Sequence, residues 1–257
     1  MSDELLVSAE GPVLHVTFNR PAQRNAMSWA MYDGMVAALE RAESDPEIRV
    51  VVLRGAGQEA FVAGTDIAQF ADFTSGEDGV VYEQRMEEVF GRLEAATVPT
   101  VAAISGYCVG AGIALAAACD LRISTTTGRF GVPVARTLGN CLAMNTYSML
   151  VFHLGPSRAK DMLLRARMFT ATEAHDAGFL TELCEPDELD STVESVTDRL
   201  VTHAPLTMWA AKEAVRRLRL ATMPDGDDLV RTVFGSQDFR NGVRAFLDKT
   251  PHTWTGR

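Results

Sequence analysis

The sequence has no metal-binding cysteine pattern. Its four cysteines, Cys108, Cys119, Cys141 and Cys184, are widely spaced, with no CxxC and no Cys/His pairing. That excludes a zinc site of ordinary ligand spacing, and no metal is expected. Positive charge is also scarce: 24 Lys and Arg stand against 34 Asp and Glu, a net charge of -10. So acidic a chain repels phosphate backbones, which argues against a nucleic-acid partner. A few local Arg or Lys residues still suffice for a phosphorylated small molecule. Charge disappears altogether between Glu94 and Asp120, a length able to span a bilayer. Pro99 near its start, glycines at 106, 110 and 112, and many alanines read instead as a buried strand and a buried helix, so no membrane span is expected. Repeats, low-complexity tracts and long linkers are missing. The acidic start, Met1-Ser2-Asp3-Glu4, does not read as a signal peptide, and a reduced, cytoplasmic setting is expected.

What is present is an alternation of strand and helix signals over 257 residues, enough for one large α/β domain or two small ones. Leu5 to Val7 and Val13 to Phe18 read as strands around Gly11-Pro12. Ser28 reads as the N-cap of a helix to about Ala42. The continuous apolar run Val50 to Leu53 fits a strand covered on both faces. Phe70 to Gly79 reads as an irregular, glycine-containing stretch, followed by a helix from Val80 to Ala95. Further strands are expected at Val98 to Ile104 and Leu121 to Ser124, with a helix at Gly110 to Ala118 between them. From Ala143 onward the pattern is mostly helical, giving an α/β domain with a helical C-terminal region.

Two strand-to-helix junctions stand out for chemistry. One is Phe61-Val62-Ala63-Gly64-Thr65-Asp66-Ile67, the other Gly106-Tyr107-Cys108-Val109-Gly110-Ala111-Gly112. Small residues at such a junction expose unpaired backbone N–H groups beside a positive helix end, which suits a developing anion. The second lacks the G-x-G-x-x-G order and the Gly-Lys-Ser/Thr of nucleotide loops.

Taken in order, the motifs resemble the crotonase superfamily, the enoyl-CoA hydratase/isomerase family. The set runs through Asn19-Arg20-Pro21, Arg24-Asn25-Ala26-Met27, Ala63-Gly64-Thr65-Asp66, Gly106-Tyr107, Gly110-Ala111-Gly112, Ala118 to Ile123 and Phe130-Gly131 with Pro133. It ends on Gly242 to Lys249 and Gly256-Arg257, so it covers nearly the whole chain. The resemblance implies a crotonase-like ββα spiral core, residues 1–190, and a C-terminal helical trimerisation region, residues 191–257, in a single functional domain. It implies an acyl-CoA thioester as substrate, coenzyme A only as part of that substrate, no tightly bound cofactor, a place in fatty acid metabolism, and a homotrimer or dimer of trimers. It assigns a backbone oxyanion hole to Thr65 and Ala111. It places Arg24, Ala26, Ala63, Gly64, Asp66, Ile67, Phe246 and Lys249 around the CoA moiety, with Phe246 and Lys249 reaching a neighbouring subunit's CoA. The side chain of Thr65 reads as a solvated hydroxyl, and Asp66 as a helix cap.

The departure from the family lies at its two glutamates. This chain has Ala114 at one position and Val134 at the other, or Ala135 if the alignment slips by one. Neither Ala nor Val transfers a proton, whereas hydration needs a base and an acid. Among possible replacements, Cys141 reads as core and His153 as a helix-end residue. Tyr82, Glu83, Arg85 and Glu87 read as a solvated helix face. An acyl-CoA enzyme of lyase or isomerase type is the leading expectation. An acyl-CoA hydrolase or decarboxylase, or a non-catalytic acyl-CoA binder, is the alternative.

Overall fold

The computed structural model describes residues 3–257. Apolar runs and turn residues set the order of its first half. Strands β1 (Leu5–Glu10) and β2 (Val13–Phe18) form a hairpin turned by Gly11, whose φ of 54° favours glycine. A 3₁₀ turn (Pro21–Gln23) leads to helix α1 (Trp29–Ser44), where the Ser28 hydroxyl accepts the Met31 N–H at 3.4 Å. Strands β3 (Val50–Gly55) and β4 (Ala60–Ala63), a 3₁₀ turn (Ile67–Phe70) and helix α2 (Gly76–Glu94) follow. Then come β5 (Thr100–Ile104), β6 (Tyr107–Val109), α3 (Ala111–Ala118), β7 (Leu121–Thr125), β8 (Arg129–Gly131) and α4 (Val134–Thr137). The second half holds α5 (Met144–Leu164), β9 (Phe169–Thr170), α6 (Ala171–Asp176), β10 (Glu182–Cys184), α7 (Leu189–Thr202), α8 (Pro205–Leu220), α9 (Asp227–Phe234) and α10 (Gln237–Asp248).

The strands form two sheets, β1-β2-β3-β5-β7-β10 and β4-β6-β8-β9. In the larger sheet Val51 and Leu53 face the main core, while Val50 and Val52 face a second cluster closed by Val193 of α7. Both faces of β3 are thus covered, which explains its unbroken apolar run. The uncharged stretch before Asp120 divides into β5, β6 and α3. Among the described residues no helix is long and apolar enough to cross a membrane.

One expectation is corrected. The stretch from Gly76 to Gly79 is helical, not irregular, because Ser75 and Asp78 form a reciprocal capping box that starts α2 there. Its glycines are packing devices: a Cβ on Gly76 would lie 2.0 Å from the Arg231 carbonyl oxygen, and one on Gly79 would lie 2.3 Å from the Phe234 ring. The C-terminal half also contains two short strands, β9 and β10, beside its helices. The helix end expected near His153 is present as a kink in α5, where Gly155 leaves helical geometry (φ 74°, ψ 158°) before Pro156.

Candidate active site

Three parallel strands of the smaller sheet end side by side. Ala63 of β4 pairs with Val109 of β6, and Val109 with Gly131 of β8. The chain therefore leaves all three at one edge, into Gly64-Thr65, Gly110-Ala111 and Val132-Pro133-Val134. Gly64 and Gly110 both turn with positive φ, and a Cβ on Gly110 would sit 3.4 Å from the Gly64 Cα. Gly112 lets α3 approach β4, since a Cβ there would lie 2.1 Å from the Val62 carbonyl oxygen.

A third strip of chain braces this edge. The Met27 N–H donates to the Gly64 carbonyl at 2.9 Å, and the Asp66 N–H donates to the Met27 carbonyl at 3.0 Å. The Thr65 N–H lies between those two bonds and outside the pairing. Neither it nor the Ala111 N–H donates to a backbone carbonyl among the described residues. Ala111 opens α3, so its amide stands at a positive helix end. The brace itself is held by Asn25, fully buried in a left-handed conformation (φ 57°). Its amide donates to the Ala56 and Ala60 carbonyls at 3.1 and 2.8 Å, and its oxygen accepts the Arg20 N–H at 3.0 Å. The Arg20 guanidinium bonds Ala26 O and Asp66 Oδ2. Sequence reading had given Arg20 no role beyond a motif letter.

A cavity of about 1100 Å³ opens over this edge. Every residue that the resemblance assigned to the site lines it: Arg24, Ala26, Ala63, Gly64, Thr65, Asp66, Ile67, Ala111, Ala114, Val134, Phe246 and Lys249. Phe246 and Lys249, which the resemblance pointed toward a neighbouring subunit's CoA, border this cavity of their own chain. Arg24 lies at the mouth, half-exposed, with its guanidinium 5.0 Å from the Tyr107 ring centroid and 3.7 Å from Glu59. Asp66 caps the 3₁₀ turn through Ala68 N–H at 3.2 Å and pairs with Arg20, so both its oxygens are occupied.

The inner wall holds what the sequence reading missed. The Thr65 hydroxyl is not solvated. It is buried, 2.8 Å from the Tyr32 hydroxyl and 3.0 Å from the Tyr82 hydroxyl. Tyr82 and Glu83 are likewise not a solvated face, since both are buried and line the cavity. Burial pushes the Glu83 carboxyl up to about 8, against the lowering effect of a bond from the Ala143 N–H at 2.7 Å. Arg85 is partly exposed, its guanidinium 3.7 Å from the Trp29 ring centroid and bonded to Asp33. Glu87 accepts the Asn145 N–H at 3.0 Å. The remaining sequence candidates are structural. Burial pushes the Cys141 thiol up to about 12, far from a reactive thiolate. Burial lowers His153 to about 4, and its Nε2 lies 3.0 Å from the Ala117 carbonyl oxygen, away from the cavity.

Comparison with known proteins agrees with this geometry. The family model for enoyl-CoA hydratase/isomerase matches residues 8–257. A 2,3-dehydroadipyl-CoA hydratase of Escherichia coli (strain K12) is 32% identical over 258 residues, 99% of each chain. A short-chain-enoyl-CoA hydratase of Clostridium acetobutylicum is 30% identical over 96% of this chain and 95% of its own. Among solved structures, an enoyl-CoA hydratase/carnithine racemase from Magnetospirillum magneticum superposes with a TM-score of 0.81 at 32% identity, covering 100% of this chain and 97% of that one. Methylmalonyl-CoA decarboxylase in complex with 2-nitronate-propionyl-CoA superposes with a TM-score of 0.91 at 25% identity, covering 100% of both chains. With its junctions, its cavity and these relatives in agreement, the chain belongs to the enoyl-CoA hydratase/isomerase family of the crotonase superfamily.

Proposed function

We propose that the protein is an acyl-CoA enzyme of lyase or isomerase type that stabilises a thioester enolate between the N–H groups of Thr65 and Ala111. The observation that carries this reading is the pair of unpartnered amides on touching glycine turns at the cavity edge. Two such donors, fixed by the fold before substrate arrives, strengthen their bonds as the carbonyl oxygen gains charge. Arg24 and Lys249 at the mouth supply cations for the CoA phosphates. Gly64, Ala26 and Ala63 leave room for a thioester arm, with Phe246 along its path. Exposed apolar residues on α8, among them Leu206 and Leu218, fit a homotrimer or dimer of trimers.

Ala114 and Val134 line the cavity, and the resemblance implies that they stand where the family's hydratases carry glutamate. Water addition to a simple enoyl thioester is therefore slow here. The crotonyl-CoA enone absorbance should decay at least about 10³-fold more slowly than with a relative that has both glutamates. A rate equal to such a relative's would overturn the assignment of Ala114 and Val134.

The likeness to methylmalonyl-CoA decarboxylase favours a second reading. Loss of CO₂ from an α-carboxyacyl thioester leaves its bonding pair as an enolate, with no base required. An apolar wall destabilises the departing carboxylate while the two amides receive the charge. CO₂ release from methylmalonyl-CoA, compared with crotonyl-CoA hydration, separates the two reactions.

A further inference from the structure

The geometry points to Glu83 as the residue that carries the proton to and from the α carbon of the bound thioester. This rests on the enolate reading above and supplies what Ala114 and Val134 lack. Three carboxyl groups line the cavity: Glu59, Asp66 and Glu83. Glu59 is largely exposed and paired with Arg24, and Asp66 is consumed by Arg20 and a cap. Glu83 alone is enclosed, 6% exposed. Its chain neighbour Tyr82 reaches the same turn as the amide pair, its hydroxyl 3.0 Å from the Thr65 hydroxyl. One oxygen, Oε2, is held by the Ala143 N–H; Oε1 makes no hydrogen bond to the described residues. Glu83 shares its helix stripe with Met86 and Phe90, which line the same cavity. An acyl chain lying on those two residues passes beside the carboxyl.

The electrostatics suit a proton carrier. The titratable groups close enough to act with Glu83 are the Glu87 carboxylate and Tyr82 on its own helix, Tyr32 on α1, Cys141 before α5 and Tyr147 on α5. Glu83 also lines a second, smaller cavity together with Glu87, Asp225 and Asp227. None of these is a cation, and burial keeps the carboxyl neutral up to about pH 8. In the resting state Glu83 therefore presents a proton to an enolate. Donation forms the C–H bond from the enolate π pair, restores the carbonyl and leaves a carboxylate. In reverse, the carboxylate takes the α proton, and the C–H pair becomes the enolate double bond while the carbonyl π pair moves onto oxygen between the amides.

Butyryl-CoA in D₂O tests this, with deuterium at C2 read by mass spectrometry and binding read by calorimetry. Wild-type protein should bind the thioester and exchange its α hydrogens, with a rate that rises with pH through a midpoint near 8. Glu83→Gln should bind equally well and exchange about 10²-fold more slowly or worse. Exchange at the wild-type rate in Glu83→Gln would overturn the role of Glu83 and leave the enolate reading standing. Failure of wild-type protein to bind butyryl-CoA would overturn the enolate reading itself. Binding without exchange would overturn proton transfer by Glu83. If Glu83→Gln does not fold, the wild-type profile still decides, since exchange independent of pH between 6 and 9.5 would contradict titration of a group with this environment.

Discussion

Thr65 shows how a single residue divides its tasks between backbone and side chain. Its N–H donates to no backbone carbonyl among the described residues, while its hydroxyl joins Tyr32 and Tyr82 in a buried row of three. Thr65→Val keeps the shape and removes the link, leaving two phenol groups short of a partner. Loss of about 1–3 kcal/mol is expected in denaturant unfolding; an unchanged midpoint would show that the tyrosines find other partners. Glu83 has a stability signature of its own. Its folded carboxyl is raised above 4.5, so folding takes up a proton between there and about pH 8. The stability of the wild type relative to Glu83→Gln is therefore full below pH 4.5 and falls as pH rises toward 8. Melting temperatures at pH 5.5 and 8.5 should show the variant gaining on the wild type at the higher pH. The opposite trend would mean that Glu83 is ionised in the fold. Neither side chain was read correctly from sequence. Glu83 sits among Gln84, Arg85, Glu87 and Glu88, which resembles a solvated face. The available signal was its spacing, since Glu83, Met86 and Phe90 fall on one helical stripe.

At the scale of elements, the long strands and helices were legible and the short ones were not. The run Val50 to Leu53, the Ser28 cap and α3 follow from local pattern. Strands β4, β6, β8 and β9 have only two to four residues each. They exist because distant segments pair with them, and no local periodicity carries that information. The start of α2 was missed for a different reason. Its glycines look like breakers, yet they mark where α9 crosses closely. Gly79→Ala should destabilise by about 1–3 kcal/mol through overpacking against Phe234. Gly91→Ala in the same helix meets nothing within 4 Å and should be neutral or stabilising by up to ~1 kcal/mol. Thermal unfolding of the pair checks this, and equal effects would mean that helix propensity rather than packing governs both sites.

For the whole molecule, the ordered motifs identified the family and the residues around the cavity, because each sits where backbone geometry tolerates few substitutes. The reaction was less legible, since it depends on side chains that reach the cavity from elements far apart in sequence, α2 above all. What unites the molecule is the meeting of β4 and β6 at their ends, and the proposed function rests on the Thr65 and Ala111 amides there acting on one oxygen. That claim is tested most directly by the carbonyl stretch of bound butyryl-CoA, read by isotope-edited infrared spectroscopy with ¹³C at C1. The expected result is a lower frequency than in free butyryl-CoA, reverting in a folded Ala111→Pro variant that lacks one donor. A bound carbonyl at the same frequency as the free thioester would contradict it.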